Sequence, residues 1–247
     1  MANDLKRSNG LDFINQSALH RSTIKDLPRP RSGSAPLVKE YPSAAKFLLP
    51  RATWSLSEAR IQPLLQQRRS LRKYSSEPVQ LVDLAFILWA CQGITAKTGE
   101  HLLRTSPSAG ALYPVETYLS IQNVEGLDAG LYHFDPHAFQ LAFLAEGDQG
   151  ARLASACLNQ SFMKQAAFCF IWSGVTRRCM SKYGDRGMRY LLLDAAHICQ
   201  SVLLAAEAVN CGGCPIAAFY DDEISALLGL DGVEEIPLYG ASIGLKL

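Results

Sequence analysis

Two rhythms of apolar residues run along this chain. Residues 81–91 are almost wholly apolar and long enough for a helix, with Gly93 just beyond as a stop. Residues 190–209 form the longest such run. It is apolar nearly all round, which predicts a helix buried in a core or a subunit interface and ended by Gly212 and Gly213. Ile61, Leu64 and Leu65 give the stripe of a shorter helix, whose start is signalled by Ser57 and Glu58. Asp221 or Asp222 suits the cap of a last short helix through Leu228. Shorter runs rich in aromatic and β-branched residues predict strands at 116–122, 166–175, 216–219 and 236–243. Residues 130–135 and 138–144 read as a hairpin around Pro136-His137. Helices and strands are interspersed without a repeat, and the hairpin makes part of the sheet antiparallel. The reading is an α+β domain on a central mixed or antiparallel sheet flanked by helices.

Residues 1–54 break this pattern. Pro28, Pro30, Pro36, Pro42 and Pro50 recur among Arg, Ser and Gly, so the stretch reads as extended or irregular, after a short amphipathic helix at 12–24. It is taken as an extension that wraps the domain or a partner subunit, with a disordered tail as the alternative. Residues 55–247 form the domain proper.

Composition narrows the function classes. The 247 residues are 48% apolar and 19% charged with a net charge of +1, so no global field calls for nucleic acid or an anionic membrane. No stretch reaches the roughly 20 uninterrupted apolar residues of a membrane span, and the polar N-terminus lacks a signal-peptide core. The expectation is a cytoplasmic protein whose seven cysteines are reduced and mostly buried.

Against that near-neutral background, Arg68, Arg69, Ser70, Arg72 and Lys73 place four cations and a hydroxyl within six residues. A guanidinium offers parallel donors that match phosphate, so the cluster suits one anionic ligand, although a solvated basic turn or a nucleic-acid patch would read alike. Residues 105–114 set two prolines around small residues, a glycine and Tyr113. Such a loop is stiff and slender enough for backbone donors to approach a flat ligand, and it would equally serve as a tight connection before the next strand. Lys182-Tyr183 in Lys-Tyr-Gly-Asp is by itself ordinary turn chemistry. Cys211-Gly-Gly-Cys214 spells a lone CxxC, read as two core thiols, with a redox pair as the alternative and no metal expected. His197 is taken as a core or interface histidine.

In order and spacing these segments resemble a known pattern. Arg-Arg-Ser-x-Arg, followed about 35 residues later by Pro-Ser-Ala-Gly-x-x-x-Pro, is similar to the flavin-binding pattern of the nitroreductase superfamily. Gly130-Leu-Tyr-His-Phe-Asp-Pro136, Lys182-Tyr183-Gly-Asp-Arg-Gly187, Ala196-His197 with Gln200, Pro215-Ile216 and Leu227-Leu-Gly-Leu-Asp231 extend the likeness to the SagB-type dehydrogenases, which oxidise azoline rings in ribosomal peptides. The resemblance implies an interlocked homodimer with two FMN sites. It implies that Arg68, Arg69, Ser70 and Arg72 hold the phosphate and the pyrimidine edge, and that Pro107, Ser108, Ala109 and Gly110 of the other subunit line the ring. Pro215, Ile216, Ala217 and Ala218 would be the strand beside it. Lys182 with Tyr183 would be the catalytic pair, a lysine partly buried beside other cations being able to titrate near neutrality. Three departures stand out. Ala217 replaces the usual Gly or Glu, Ala196 replaces a Gly, and the usual basic segment after the last strand is absent, leaving the phosphate to Lys246 as a substitute or to Arg68 and its neighbours.

The implied function is FMN-dependent dehydrogenation of an azoline or similar bond in a peptide or small molecule, with reoxidation by oxygen and cyclodehydratase-like partner proteins. The alternatives are a NAD(P)H-dependent reductase of nitroaromatics, quinones or enones, and a non-catalytic scaffold subunit.

Overall fold

The centre of the sheet is strand β7 (Phe168–Val175), every residue of which is buried. Phe168, Phe170 and Trp172 join one core, while Cys169 and Ile171 join another on the opposite face. That is the period of two of an extended chain covered on both sides. The structure, a computed structural model, describes residues 8–21, 35–51, 54, 59–99 and 101–247. Strand β7 pairs with β4 (Val115–Ile121) on one side and β9 (Glu235–Leu245) on the other. Beyond β4 lie β5 (Gly130–Asp135), β6 (Gln140–Glu146) and the edge strand β1 (Lys46–Leu48); beyond β9 lies β8 (Cys211–Ile216). Every pairing in this seven-stranded sheet is antiparallel, and parallel pairing is confined to isolated bridges such as Ser70 with Gly213. A separate ribbon pairs β2 (Ile94–Thr98) with β3 (His101–Arg104).

Helices α3 (Leu81–Gln92) and α6 (Arg186–Ala208) cover one face through Leu84, Ile87, Leu88, Ala195, Ile198 and Val202. On the other face, α4 (Gly150–Ala156) and α7 (Asp221–Leu228) set Leu153, Ala154, Ile224 and Leu227 against Tyr118 and Ile171. Three further helices, α1 (Asn9–Gln16), α2 (Ile61–Gln67) and α5 (Thr176–Tyr183), complete the set used below. By length and composition α6 could cross a membrane. Its apolar side instead packs into the core, and Leu192 and Leu193 remain 49% and 55% exposed on the opposite side.

Several boundaries differ from the expectations, each for a local reason. The helix expected at 12–24 is Asn9–Gln16; the Ser17 hydroxyl donates to the Phe13 carbonyl and the chain then leaves the helix, while residues 22–24 lie outside the described ones. Ser57 and Glu58 also lie outside them, and Arg60 occupies the cap of α2. Gly93 follows α3 in extended rather than left-handed backbone; a Cβ there would sit 2.6 Å from the Trp89 carbonyl oxygen. Gly212 and Gly213 do not end α6. The reversal falls on Asn210, with φ +58°, and both glycines lie inside β8. A Cβ on Gly213 would stand 2.5 Å from the Ser242 carbonyl, so only glycine lets β8 close against β9. The strand expected at 216–219 therefore runs earlier, and Ala217 and Ala218 fall in the exposed loop after it. Asp221 and Asp222 occupy the first turn of α7, where their charge suits the helix dipole, and the cap itself is Tyr220.

All seven cysteines are buried free thiols. Cys211 and Cys214 stand three apart on a strand, about 10 Å along it and on opposite faces, which is too far for a disulfide.

Two buried charge clusters fasten the layers. Glu116 on β4 meets His133 on β5 at 2.8 Å and Arg178 on α5 at 2.6 Å. Burial alone would raise the Glu116 carboxyl, but the His133 hydrogen bond and the Arg178 charge outweigh it and hold the pKa at about 2. Glu235 accepts from Ser173 at 2.6 Å, from Tyr118 at 2.8 Å and from Lys39 at 2.5 Å, which ties residues 35–51 to the sheet.

Because the folded-state pKa of Glu116 is depressed, its contribution is present in full above the ordinary value of 4.5 and is lost as pH falls toward 2. Urea unfolding of the protein should therefore show stability declining from about pH 5 to about pH 3. Glu116→Gln, though less stable at neutral pH, should lack that part of the decline. Arg178→Ala, which strands a buried carboxylate, should cost about 3–5 kcal/mol at neutral pH.

Candidate functional site

The basic segment begins where α2 ends, with Arg68 as its C-cap, and runs along the outer edge of β8. Ser70 bridges Gly213, and the Leu71 N–H donates to the Gly213 carbonyl at 3.0 Å. Leu71 turns inward onto Gly212, where a Cβ would lie 2.8 Å from its Cδ2. Arg68 is half-buried, and Arg69, Ser70, Arg72 and Lys73 are exposed. Among the described residues no carboxylate pairs with any of these four cations. Arg69 folds back onto the carbonyls of Gln66 and Arg68. Burial raises the Cys214 thiol while Arg72 and Ser70 pull it down, so both side chains stand over β8. Pro215 and Ile216 follow on the same strand. Backbone edge and unpaired cations thus form one anion-attracting rim. Lys246, the expected substitute for a basic tail, is instead paired with the buried Glu207.

The second group is built on the loop after β3. Gly110, Ala111 and Tyr113 all have positive φ (62°, 53° and 45°), strained backbone for the two non-glycine residues. Dense pinning offsets the strain. The Tyr113 N–H donates to Ser108 Oγ at 2.9 Å, its hydroxyl accepts from the Arg104 N–H at 3.0 Å, and its carbonyl accepts from Arg178 at 3.3 Å. The Arg104 guanidinium lies 4.5 Å from the Tyr113 ring centre; burial lowers its pKa to about 10, where it stays charged at neutral pH. Ser106 and Thr105 donate to the carbonyls of Cys91 and Trp89 at the end of α3. Ser108 Oγ donates to Asp194 on α6 at 2.6 Å.

Lys182 and Tyr183 end helix α5 and lie against this loop. A Cβ on Gly110 would be 2.4 Å from Tyr183 Oη and 2.7 Å from Lys182 Nζ. Tyr183 packs edge-on against Tyr190, with ring centres 4.9 Å apart, and Lys182 Nζ lies 5.4 Å from the Tyr183 ring centre. Helix α5 is held tightly to α6, since a Cβ on Gly187 would sit 2.9 Å from the Cys179 backbone. Lys182 is exposed on this chain, so the chain's own fold does not supply the partial burial expected for it.

The structure thus gathers the expected residues into two groups. Arg68, Arg69, Ser70 and Arg72 meet Pro215 and Ile216 on one edge, with Ala217 and Ala218 in the loop beyond. Pro107, Ser108, Ala109 and Gly110 meet Lys182 and Tyr183. No hydrogen bond or ion pair among the described residues joins the two groups. Sequence reading missed Asp194, Arg104 and Arg178. Asp194 had a signal: a carboxylate at Leu191-Leu-Leu-Asp-Ala-Ala, inside a helix read as apolar nearly all round, demands a partner. His197 is exposed on the outer side of α6, outside the core.

A sequence profile described as the Nitroreductase family matches residues 65–245. A Methanocaldococcus jannaschii protein with a provisional nitroreductase name is 35% identical over 192 residues, 78% of this chain and 94% of that protein. The trifolitoxin-processing protein of Rhizobium leguminosarum bv. trifolii is 29% identical over 139 residues, 54% of this chain but only 37% of that protein. In the solved Escherichia coli microcin synthetase complex with truncated pro-microcin bound, one chain matches at a TM-score of 0.61 and 18% identity. That match covers 98% of this chain and 99% of the other, and is a likeness of fold.

Gly110→Ala tests the loop geometry. A left-handed alanine should cost about 1–2 kcal/mol, read by urea unfolding, and should push Tyr183 and Lys182 aside. Unchanged stability would mean that the positive φ is not kept in solution.

Proposed function

Because the chain belongs to the nitroreductase family, we propose that it is an FMN-dependent dehydrogenase of an azoline ring, or a closely similar bond, in a peptide-derived natural product. The observation that carries the cofactor is the row of unpaired cations on the free edge of β8. FMN, when bound, supplies a hydride acceptor at N5 and returns the electrons to oxygen.

The chain's own residues do the rest. Arg68, Arg69, Ser70 and Arg72 hold the phosphate and the pyrimidine edge, and their charge favours the reduced anionic ring. Backbone groups at Pro215 and Ile216 lie beside the ring, followed by Ala217 and Ala218. Pro107, Ser108, Ala109 and Gly110 come from a second copy and close the other side. Two observations support that dimer: the two groups do not meet within one chain, and α6 presents Leu192 and Leu193 outward. Lys182 Nζ takes the proton from the substrate atom next to the one that gives up hydride, and Tyr183 Oη orients the substrate. The second copy and the bound peptide would bury Lys182, which the single chain leaves exposed.

The peptide substrate, and partner proteins of the cyclodehydratase kind, are supported by the peptide-processing names of the relative and the structural neighbour. Seven buried reduced thiols suit the cytoplasm. The provisional name of the archaeal relative favours a second reading, a NAD(P)H-dependent reductase using the same rim.

The pure protein should be yellow, dimeric by light scattering, and hold one FMN per chain. Arg68→Ala with Arg72→Ala should weaken FMN binding about 10- to 100-fold, as expected for lost charge-assisted hydrogen bonds. Lys182→Ala should leave the flavin spectrum unchanged and slow azoline oxidation by about 100-fold or more. Rapid bleaching by NADPH with no azoline turnover selects the reductase; a colourless protein that takes up no FMN leaves only a scaffold.

A further inference from the structure

Asp194 stands apart among the acidic residues. It is 4% exposed, and among the described residues it forms no ion pair, the charged influence on its own helix being His197 one turn along. A buried carboxylate without a cation costs several kcal/mol unless donors satisfy it. Its donors both come from the loop after β3: Ser108 Oγ reaches Oδ2 at 2.6 Å and the Ala109 N–H reaches Oδ1 at 3.4 Å. Burial raises its pKa and these two donors lower it. Asp194 also acts on the Cys179 thiol, so it lies against α5, the helix that ends in Lys182 and Tyr183.

The direction of the hydrogen bonds gives Asp194 a role. Because Ser108 donates its one hydroxyl proton to Asp194, its lone pairs face the Tyr113 N–H, 2.9 Å away. The chain Tyr113 N–H to Ser108 Oγ–H to Asp194 closes residues 108–113 into a ring whose Gly110, Ala111 and Tyr113 are left-handed. Gly110 sits at the middle of that ring, and Tyr183 Oη and Lys182 Nζ rest on it. Asp194 is too deep to touch a ligand, yet it decides where the ligand-facing loop and the two side chains on it stand.

We propose that Asp194 is a positioning residue, which through Ser108 fixes the loop 107–110 against Lys182 and Tyr183. The catalytic consequence rests on the dehydrogenase reading above; the structural one does not. An amide at 194 keeps only one of the two acceptor oxygens. Either its NH2 group meets the Ala109 N–H, or Ser108 loses the acceptor of its hydroxyl proton.

The full-length holoprotein carrying Asp194→Asn, Ser108→Ala or Ser108→Thr tests this. Hydrogen–deuterium exchange of the peptide covering 107–114 should speed up about tenfold or more in the first two variants, in the manner of local opening without global unfolding. Acylation of Lys182, read by mass spectrometry against the other lysines, should change with it. Ser108→Thr, which keeps the hydroxyl, should restore both. With an azoline peptide, Asp194→Asn and Ser108→Ala should each lower kcat about 10- to 100-fold, as expected for a small misplacement, with KM within about twofold. The double variant should lose little more than either single one, since the two residues act as a unit. Wild-type exchange, Lys182 reactivity and kcat in Asp194→Asn would overturn the proposal. So would equal losses in Ser108→Ala and Ser108→Thr. If exchange and Lys182 reactivity respond while the unaltered protein oxidises no azoline, the positioning stands and the dehydrogenase reading falls.

Discussion

The guanidinium of Arg178, 3% exposed at the junction of the sheet and helix α5, is the fixed point of this molecule. One of its nitrogens meets Glu116 on the sheet, another donates to the Tyr113 carbonyl of the strained loop, and the third donates to the Pro36 carbonyl of the N-terminal segment. A charge so deep is tolerated because each of its three nitrogens has a partner and its counter-charge is itself held by His133. The same residue therefore sets the start of α5 relative to β4, and with it the place where Lys182 and Tyr183 emerge one turn later. Fold and candidate chemistry are joined there, in one buried contact.

Strain and restraint are matched around that point. Left-handed backbone at Ala111 and Tyr113 is costly, and each hydrogen bond from Arg104, Arg178 and Ser108 removes an alternative the loop could relax into. The result is a rigid, slender lip carrying backbone donors. The opposite edge of the molecule is built by the reverse strategy. Among the described residues Arg68, Arg69, Arg72 and Lys73 have no counter-charges, and their strip of backbone is tied to β8 by the Ser70 bridge and the Leu71 hydrogen bond. One region is over-determined and the other holds its charge in reserve, as expected where a ligand completes the charge balance. In the dimer proposed above two copies would bring the regions together, with the outward leucines of α6 as an apolar driving force.

Much of the fold was legible because burial imposes period. The aromatic and β-branched run at 166–175 and the long apolar runs at 81–91 and 190–209 survive in the structure as β7, α3 and α6 with small shifts at their ends. The errors share one cause. Gly93, Gly212 and Gly213 were read as punctuation, by their conformational freedom, whereas each is required by a close approach, from Trp89 one turn back at Gly93 and from distant parts of the chain at Gly212 and Gly213. A glycine needed for its missing Cβ looks, in sequence, the same as one needed for its backbone. The Lys246 substitution failed likewise, since Glu207, far away in sequence, claims that ammonium first.

The site divides along the same line. The sequence alone determined which residue types were on hand: a dense basic run in a chain of +1 net charge, a stiff Pro-Ser-Ala-Gly loop and a Lys-Tyr turn, in an order that resembles a flavin-binding family. Those are local properties, fixed by composition and neighbour spacing. Only the tertiary structure decided that Ser70 lies on Gly213, that Gly110 bears Lys182 and Tyr183, and that Asp194 holds the loop beneath them. These contacts span tens of residues up to more than a hundred, and they depend on strand register and helix packing. No local pattern encodes them, because the free energy that selects them belongs to the whole core.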